Sequence, residues 1–258
     1  MKSRAVAFTI AVFLTCVSAP ANAAAPASGF FARGGRVDWA RLITPDPRWN
    51  MHSDRDPDLA EFIRKNTNLN IDSTWYAADP GKIEQLCSYP FIYAKDLTRV
   101  RDPKHLENIR EYLARGGFIC VDACATASST PNMEAYYREN CAVFQRMFPS
   151  ARIAPLPDTH ELFTCYFTVH DGDIYTRDMG IHVRGTHDGM YGVFNGERMI
   201  AVISMYGLEC GWPQTPMRTP GCMKLILNTY IYAMTAAPET GAVPDEKKES
   251  APAPISPR

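Results

Sequence analysis

Asp122 and Cys124 are the two side chains whose types and setting are best suited to chemistry. They stand in the stretch "GGFICVDACATAS", residues 116–128, where a Gly pair leads into an apolar run that ends at Asp122. Cys124 follows at a turn, and nucleophiles are common where a strand passes into a helix. A cysteine there would attack as its thiolate, which needs a nearby His or other base. Four of the six His fall in one later region: His160, His170, His182 and His187. His160, in "PLPDTHELF", is the candidate partner for Cys124 or Asp122. A nucleophile elbow also wants glycines around the nucleophile, as in G-x-S-x-G. Here the neighbours are small but the glycines are missing, so Asp122 is a better candidate than Cys124. Asp122, Cys124, His160, His182, His187 and Asp188 are also metal-ligand types. They occur without H-E-x-x-H or C-x-x-C spacing, and the expectation is no metal and no cofactor.

These residues matter only if the fold brings them to a crevice. In open α/β sheets that crevice lies outside the carboxyl ends of the strands. The positions to inspect are therefore Asp38 and Trp39, Asp96, and Asp122 with Cys124; "YGLECGW" adds Glu209, just after the second hairpin strand, and Trp212. Trp39, Asp96, Asp122, Glu209 and Trp212 form the expected ligand-binding set, with Glu209 and Trp212 at a pocket rim. Trp39, Trp49, Trp75 and Tyr76 read as core or groove-lining groups. Several on one crevice would stack a sugar-like or peptide ligand.

The elements that must position them alternate. "GGRVDWA" and "LNID" are short strand candidates. Asp56-Pro57 reads as an N-cap with Pro at the first helical position, and Leu59, Phe62 and Ile63 follow at helical spacing. "YPFIYAKD" has the length of a buried strand. Asp102-Pro103 opens a second helix with Leu106, Ile109, Tyr112 and Leu113 as its apolar stripe, and Gly116-Gly117 stops it. "FICVD" is apolar without alternation, as in a strand covered on both faces. "NMEAYYRENCAVFQRMF" is a third helix, ended by Pro149. In "MYGVFNGERMIAVISMYG" the dipeptide Asn195-Gly196 predicts a hairpin. "GCMKLILNTYIYAMT" predicts a closing helix. This order gives an α/β domain with a mainly parallel sheet and an added antiparallel hairpin. No nucleotide-binding glycine motif occurs.

The first 23 residues carry Lys2 and Arg4, an apolar stretch from Ala5 to Val17 and the small-x-small site Ala21-Asn22-Ala23. They read as a secretory signal peptide. Residues 236–258, rich in Pro, Ala and charge, read as a disordered tail. Residues 30–235 remain as a single domain. The net charge of -1 and the lack of a basic stripe argue against nucleic acid as a partner. No later segment is long and apolar enough to span a bilayer. Of eight cysteines, removal of Cys16 with the leader leaves seven. An exported chain meets oxidising conditions, and Cys210 with Cys222 is the most plausible local pair.

The segments "YPFIYAKD", "EYLARGGFICVDAC", "FQRMFPSARIAPLPDTHELF", "MGIHVRG", "RMIAVISMYGLECGW" and "LILNTYIYAMT" together, in this order, resemble the bacterial family named domain of unknown function 4159, from about Phe30 to Thr235. That resemblance implies the class I glutamine-amidotransferase-like fold group, which includes trehalose-utilisation-type proteins, and a flavodoxin-like sheet. Members of the family read Asp-Asp-Cys-His-Gly where this chain reads Asp122-Ala123-Cys124-Ala125-Thr126. Asp122 and His160 carry over best, and the amidotransferase triad is not recognisable. The resulting expectation is an exported envelope protein, periplasmic or extracellular. It would act as a non-catalytic binding module for a small polar ligand or an envelope protein. The alternative is a hydrolase- or transferase-like enzyme using Asp122 or Cys124 with His160.

Overall fold

Seven strands form one sheet in the order β2-β1-β3-β4-β7-β6-β5. They are β1 (Trp39–Leu42), β2 (Trp75–Ala78), β3 (Phe91–Ala94), β4 (Phe118–Asp122), β5 (Arg152–Pro155), β6 (Met190–Asn195) and β7 (Arg198–Ser204). The helices are α1 (Asp56–Asn66), α2 (Ile83–Leu86), α3 (Pro103–Ala114), α4 (Met133–Met147), α5 (Asp171–Ile174) and α6 (Pro220–Thr235). This computed structural model describes residues 37–123, 132–174, 189–212 and 220–235. They belong to one compact unit, Ser28–Glu239. Residues 1–23, read as a leader, residues 236–258, read as a tail, and Cys124, His182, His187 and Asp188 lie outside the described residues.

β2, β1, β3, β4 and β7 pair in parallel, and β6 alone runs against its neighbours. The fold is thus α/β, with a mainly parallel sheet and an antiparallel hairpin. The chain winds from β1 to β2 on one side and then crosses to β3 on the other. The winding reverses between β1 and β3, which is where open α/β sheets form their crevice.

Alternation along the strands sorts the core into two layers. Ala40, Leu42, Ile92, Ala94, Ile119 and Val121 face Ile109 and Leu113 of α3 and Val143 and Phe144 of α4. Trp39, Phe91, Tyr93, Phe118 and Cys120 face Leu59 and Ile63 of α1 and the apolar side of α6. β4 pairs in parallel on both sides, with β3 and β7, and is buried along its whole length, which explains its unbroken apolar run.

Local signals place most boundaries. The Asp102 side chain accepts the Lys104 and His105 amides and starts α3. Asn132 does the same for α4 through the Ala135 amide. Gly116, at φ +107, ends α3, and a Cβ on Gly117 would lie 2.4 Å from the Tyr112 ring.

Four expectations need correction. "LNID" is not a strand; β2 lies at Trp75–Ala78, in register with β1. The hairpin turn is Gly196-Glu197, because Asn195 pairs with Arg198. Of the two turn residues only Gly196 has positive φ, as at the first position of a II′ turn. Asp56 does not cap α1, because a buried guanidinium holds its carboxylate. Cys210 and Cys222 are buried thiols rather than a disulfide. Cys222 points its sulfur at the Ile174 carbonyl, 3.8 Å away.

Candidate functional site at the strand ends

The sheet positions that end β1, β3 and β4 are polar on the face turned toward α1 and α6. Tyr93 is level with Arg41 across one strand boundary and with Cys120 across the next. One step further along lie Lys95, Asp122 and Ser204, the last two being register partners. A 3-10 turn after β7, Leu208–Gly211, brings Glu209 over these ends. Arg41, Glu209 and Asp122 are 0% exposed, Asp56 1% and Lys95 7%. Five ionisable side chains from five chain segments therefore share one buried volume.

Their contacts form a chain. Arg41 donates from Nε to Asp56 Oδ2 at 2.5 Å and from Nη2 to Asp56 Oδ1 at 2.6 Å. The same Nη2 donates to Glu209 Oε1 at 2.7 Å, and Nη1 to the Met51 carbonyl at 3.1 Å. Lys95 pairs with the other Glu209 oxygen. The Trp39 indole donates to Asp56 Oδ2 at 3.0 Å. The guanidinium also lies over the rings of Tyr93 and Trp212, at 5.0 and 5.8 Å from their centroids. A planar fork with five donors suits this crossing better than a lysine would.

Asp122 anchors the turn. Its Oδ1 accepts the Leu208 amide at 3.0 Å, and its Oδ2 accepts the Glu209 amide at 3.2 Å and the Tyr93 hydroxyl at 2.9 Å. Ser204 donates to it as well. Burial pushes the Asp122 carboxyl above its usual value, against the pull of Lys95. Burial likewise raises Asp56, opposed by Arg41, and drives the Tyr93 phenol well up. Asp122 is thus buried and holds the turn through the Leu208 and Glu209 amides.

The loop after β3 is fixed from behind. Tyr136 of α4 donates to the Lys95 carbonyl at 2.6 Å, and Asn140 accepts the Leu97 amide at 3.0 Å. Nearer the surface, Asp46 from the loop after β1 pairs with its own neighbour Arg48 and with Arg99 from the loop after β3. That last pair bridges the two loops that flank the reversal of winding.

Four of the five residues expected to bind ligand meet here: Trp39, Asp122, Glu209 and Trp212. Glu209 and Trp212 are not at a rim, since both are 0% exposed. Asp96 points elsewhere and closes its own turn onto Thr98 through the amide and the hydroxyl. His160 caps a short turn, its Nδ1 accepting the Leu162 amide at 3.2 Å. Its ring packs on Tyr232, which in turn packs on Phe118. Phe118 begins β4 and Asp122 ends it, about 13 Å along a strand of this length. His160 therefore lies by the opposite end of β4 from Asp122, and its pairing with Asp122 is not formed. Burial lowers its imidazole below the ordinary value.

Arg41, Asp56 and Lys95 were not among the expected site residues. A lone Arg inside the four-residue strand "WARL" was the available signal, because a charge at an inward position demands a buried partner. Among the described residues no group of three His, Cys, Asp or Glu side chains could hold a metal ion. No helix among them is long and apolar enough to cross a membrane.

The family described as a domain of unknown function, DUF4159, matches residues 38–234, a span that contains every strand of the sheet. The chain belongs to that family. No curated protein matches the chain.

Proposed function

We propose that this chain is an exported, non-catalytic binding module of the cell envelope that holds a small polar ligand at the crevice outside the carboxyl ends of β1 and β3. The supporting observation is the buried charge chain from Asp56 to Asp122 at the point where the winding reverses. It ties the strand-end loops together, pairing Asp56, Arg41, Glu209 and Lys95 with one another and bonding Asp122 to the turn. A crevice held in shape by these contacts would lower the ordering cost of holding a ligand. Lys95, the only one of the five above 1% exposure, is its contact with the surface. The parallel strand order β2-β1-β3-β4-β7 follows the flavodoxin-like pattern 2-1-3-4-5. It supports assignment to the class I glutamine-amidotransferase-like fold group. An enzyme pairing His160 with Asp122 gains no support from the observed placement of His160.

The test is a thermal-shift screen of the full chain against sugars, nucleotides, amino acids, short peptides and organic acids. A ligand that selects the native state at 100 times its Kd adds ~2.7 kcal/mol. For a domain of this size that amounts to about 5–11 °C. A hit whose shift is lost in Lys95→Met supports the crevice reading. An absence of any shift, or a shift that Lys95→Met leaves intact, speaks against it.

A further inference from the structure

The buried cluster contains three carboxylates and two cations. The charges alternate along it: Asp56, Arg41, Glu209, Lys95, Asp122. Ion pairs join the first four, and Lys95 acts on Asp122 through space. The odd carboxylate is the last one. Asp122 faces Tyr93 from β3, Lys95 from the loop after it, Ser204 from β7, and Glu209 with two amides from the turn. Its other neighbours are Cys120 on its own strand and Cys222 from α6. Among the described residues the cation acting on it is Lys95, which Glu209 already holds. A buried charge without its own counter-ion is costly, and a proton removes the cost.

We propose that the cluster is a proton-set latch: in mild acid the folded chain takes up one proton at Asp122, and this proton loosens the grip of Asp122 on the turn that carries Glu209. The geometry gives the sequence of events. A proton from solvent on Oδ2 makes that oxygen a donor. The Tyr93 hydroxyl can rotate to accept it. The Glu209 amide, which shares the same oxygen, cannot reverse its role and is left with a weaker acceptor. Burial of Asp122 favours the protonated form and outweighs Lys95 and the donors from Ser204, Leu208 and Tyr93, which favour the carboxylate.

Two trends in opposite directions follow. The folded chain binds the proton at a higher pH than the unfolded chain does. Global stability from this group therefore rises as pH falls through the folded value, and the gain is complete below the unfolded value of ~3.9. Over the same range the turn becomes looser. The experiment is a carbon-13 titration of the Asp122 carboxyl in the labelled full chain, with the Glu209 amide followed in parallel. The expected result is a midpoint above ~3.9, shared by the Glu209 amide. A midpoint at or below the ordinary value, or an unresponsive Glu209 amide, would overturn the latch. Asp122→Asn keeps an acceptor oxygen and removes the titration, so its unfolding should lose this pH-dependent step. A slope equal to that of the native chain would also overturn the latch. Asp56→Asn is the control, because it removes the other burial-raised carboxyl and should leave the Glu209 amide titrating.

Discussion

Replacing Arg41 by Met tests how far the strand ends depend on the buried charge chain. Met keeps most of the length and apolar volume of the side chain. It removes the contacts to both Asp56 oxygens, to Glu209 and to the Met51 carbonyl. What remains is three carboxylates against Lys95 alone, all buried. Removing one partner of a buried ion pair costs about 3–5 kcal/mol. In a domain of this size that lowers Tm by about 6–20 °C. Calorimetry at pH 7 measures the loss, and far-ultraviolet circular dichroism checks that the variant is folded. The double variant Arg41→Met, Asp56→Leu should recover part of the loss, because it removes a pair rather than stranding half of one. The single variant should also recover as pH falls toward ~4, where the stranded carboxylates take up protons. A single variant within ~1 kcal/mol of the native chain at pH 7, or a double variant no better than the single, refutes the reasoning.

Three further outcomes are expected. Gly117→Ala drives a Cβ into the Tyr112 ring; that ring's hydroxyl is bonded to both the amide and the carbonyl of Phe118. The overpacking should cost about 1–3 kcal/mol in urea unfolding. Asn140→Leu leaves the buried Leu97 amide without its acceptor and should cost about 1–3 kcal/mol in the same assay. In native labelling followed by peptide mapping, exposed Cys165 should react before buried Cys120 and Cys222. Burial drives the Cys120 thiol well up and the Cys222 thiol up to about 12, and thiols so shifted have little thiolate at neutral pH.

Elements with local causes were legible in the sequence. Asp102-Pro103, Gly116-Gly117 and the unbroken run of β4 state their own boundaries through capping, positive φ and two-sided burial. The strand-end rule led to Asp122, and the residues after the hairpin led to Glu209 and Trp212; Trp39, expected at the end of a strand, begins β1 instead. What joins them was not legible, because Arg41 and Glu209 are 168 residues apart in the chain and meet only when β1 and the turn after β7 converge. Asp56 shows why local signals fail at such a place. Its neighbour Pro57 marks a helix start, yet two strong bonds to a buried guanidinium outweigh one cap. β2 was missed for another reason: it is a half-buried edge strand, and "WYAA" is only four residues long and shows no alternation.

The claim that the strand-end crevice holds a ligand is tested most directly by amide chemical-shift mapping. The native chain would be titrated with whichever probe raises Tm most in the screen. A ligand in that crevice perturbs mainly residues 43–49, 95–99 and 207–212, around the carboxyl ends of β1, β3 and β7. Perturbations centred on His160 and Tyr232, on the edge strand β5, or spread without focus would contradict the claim.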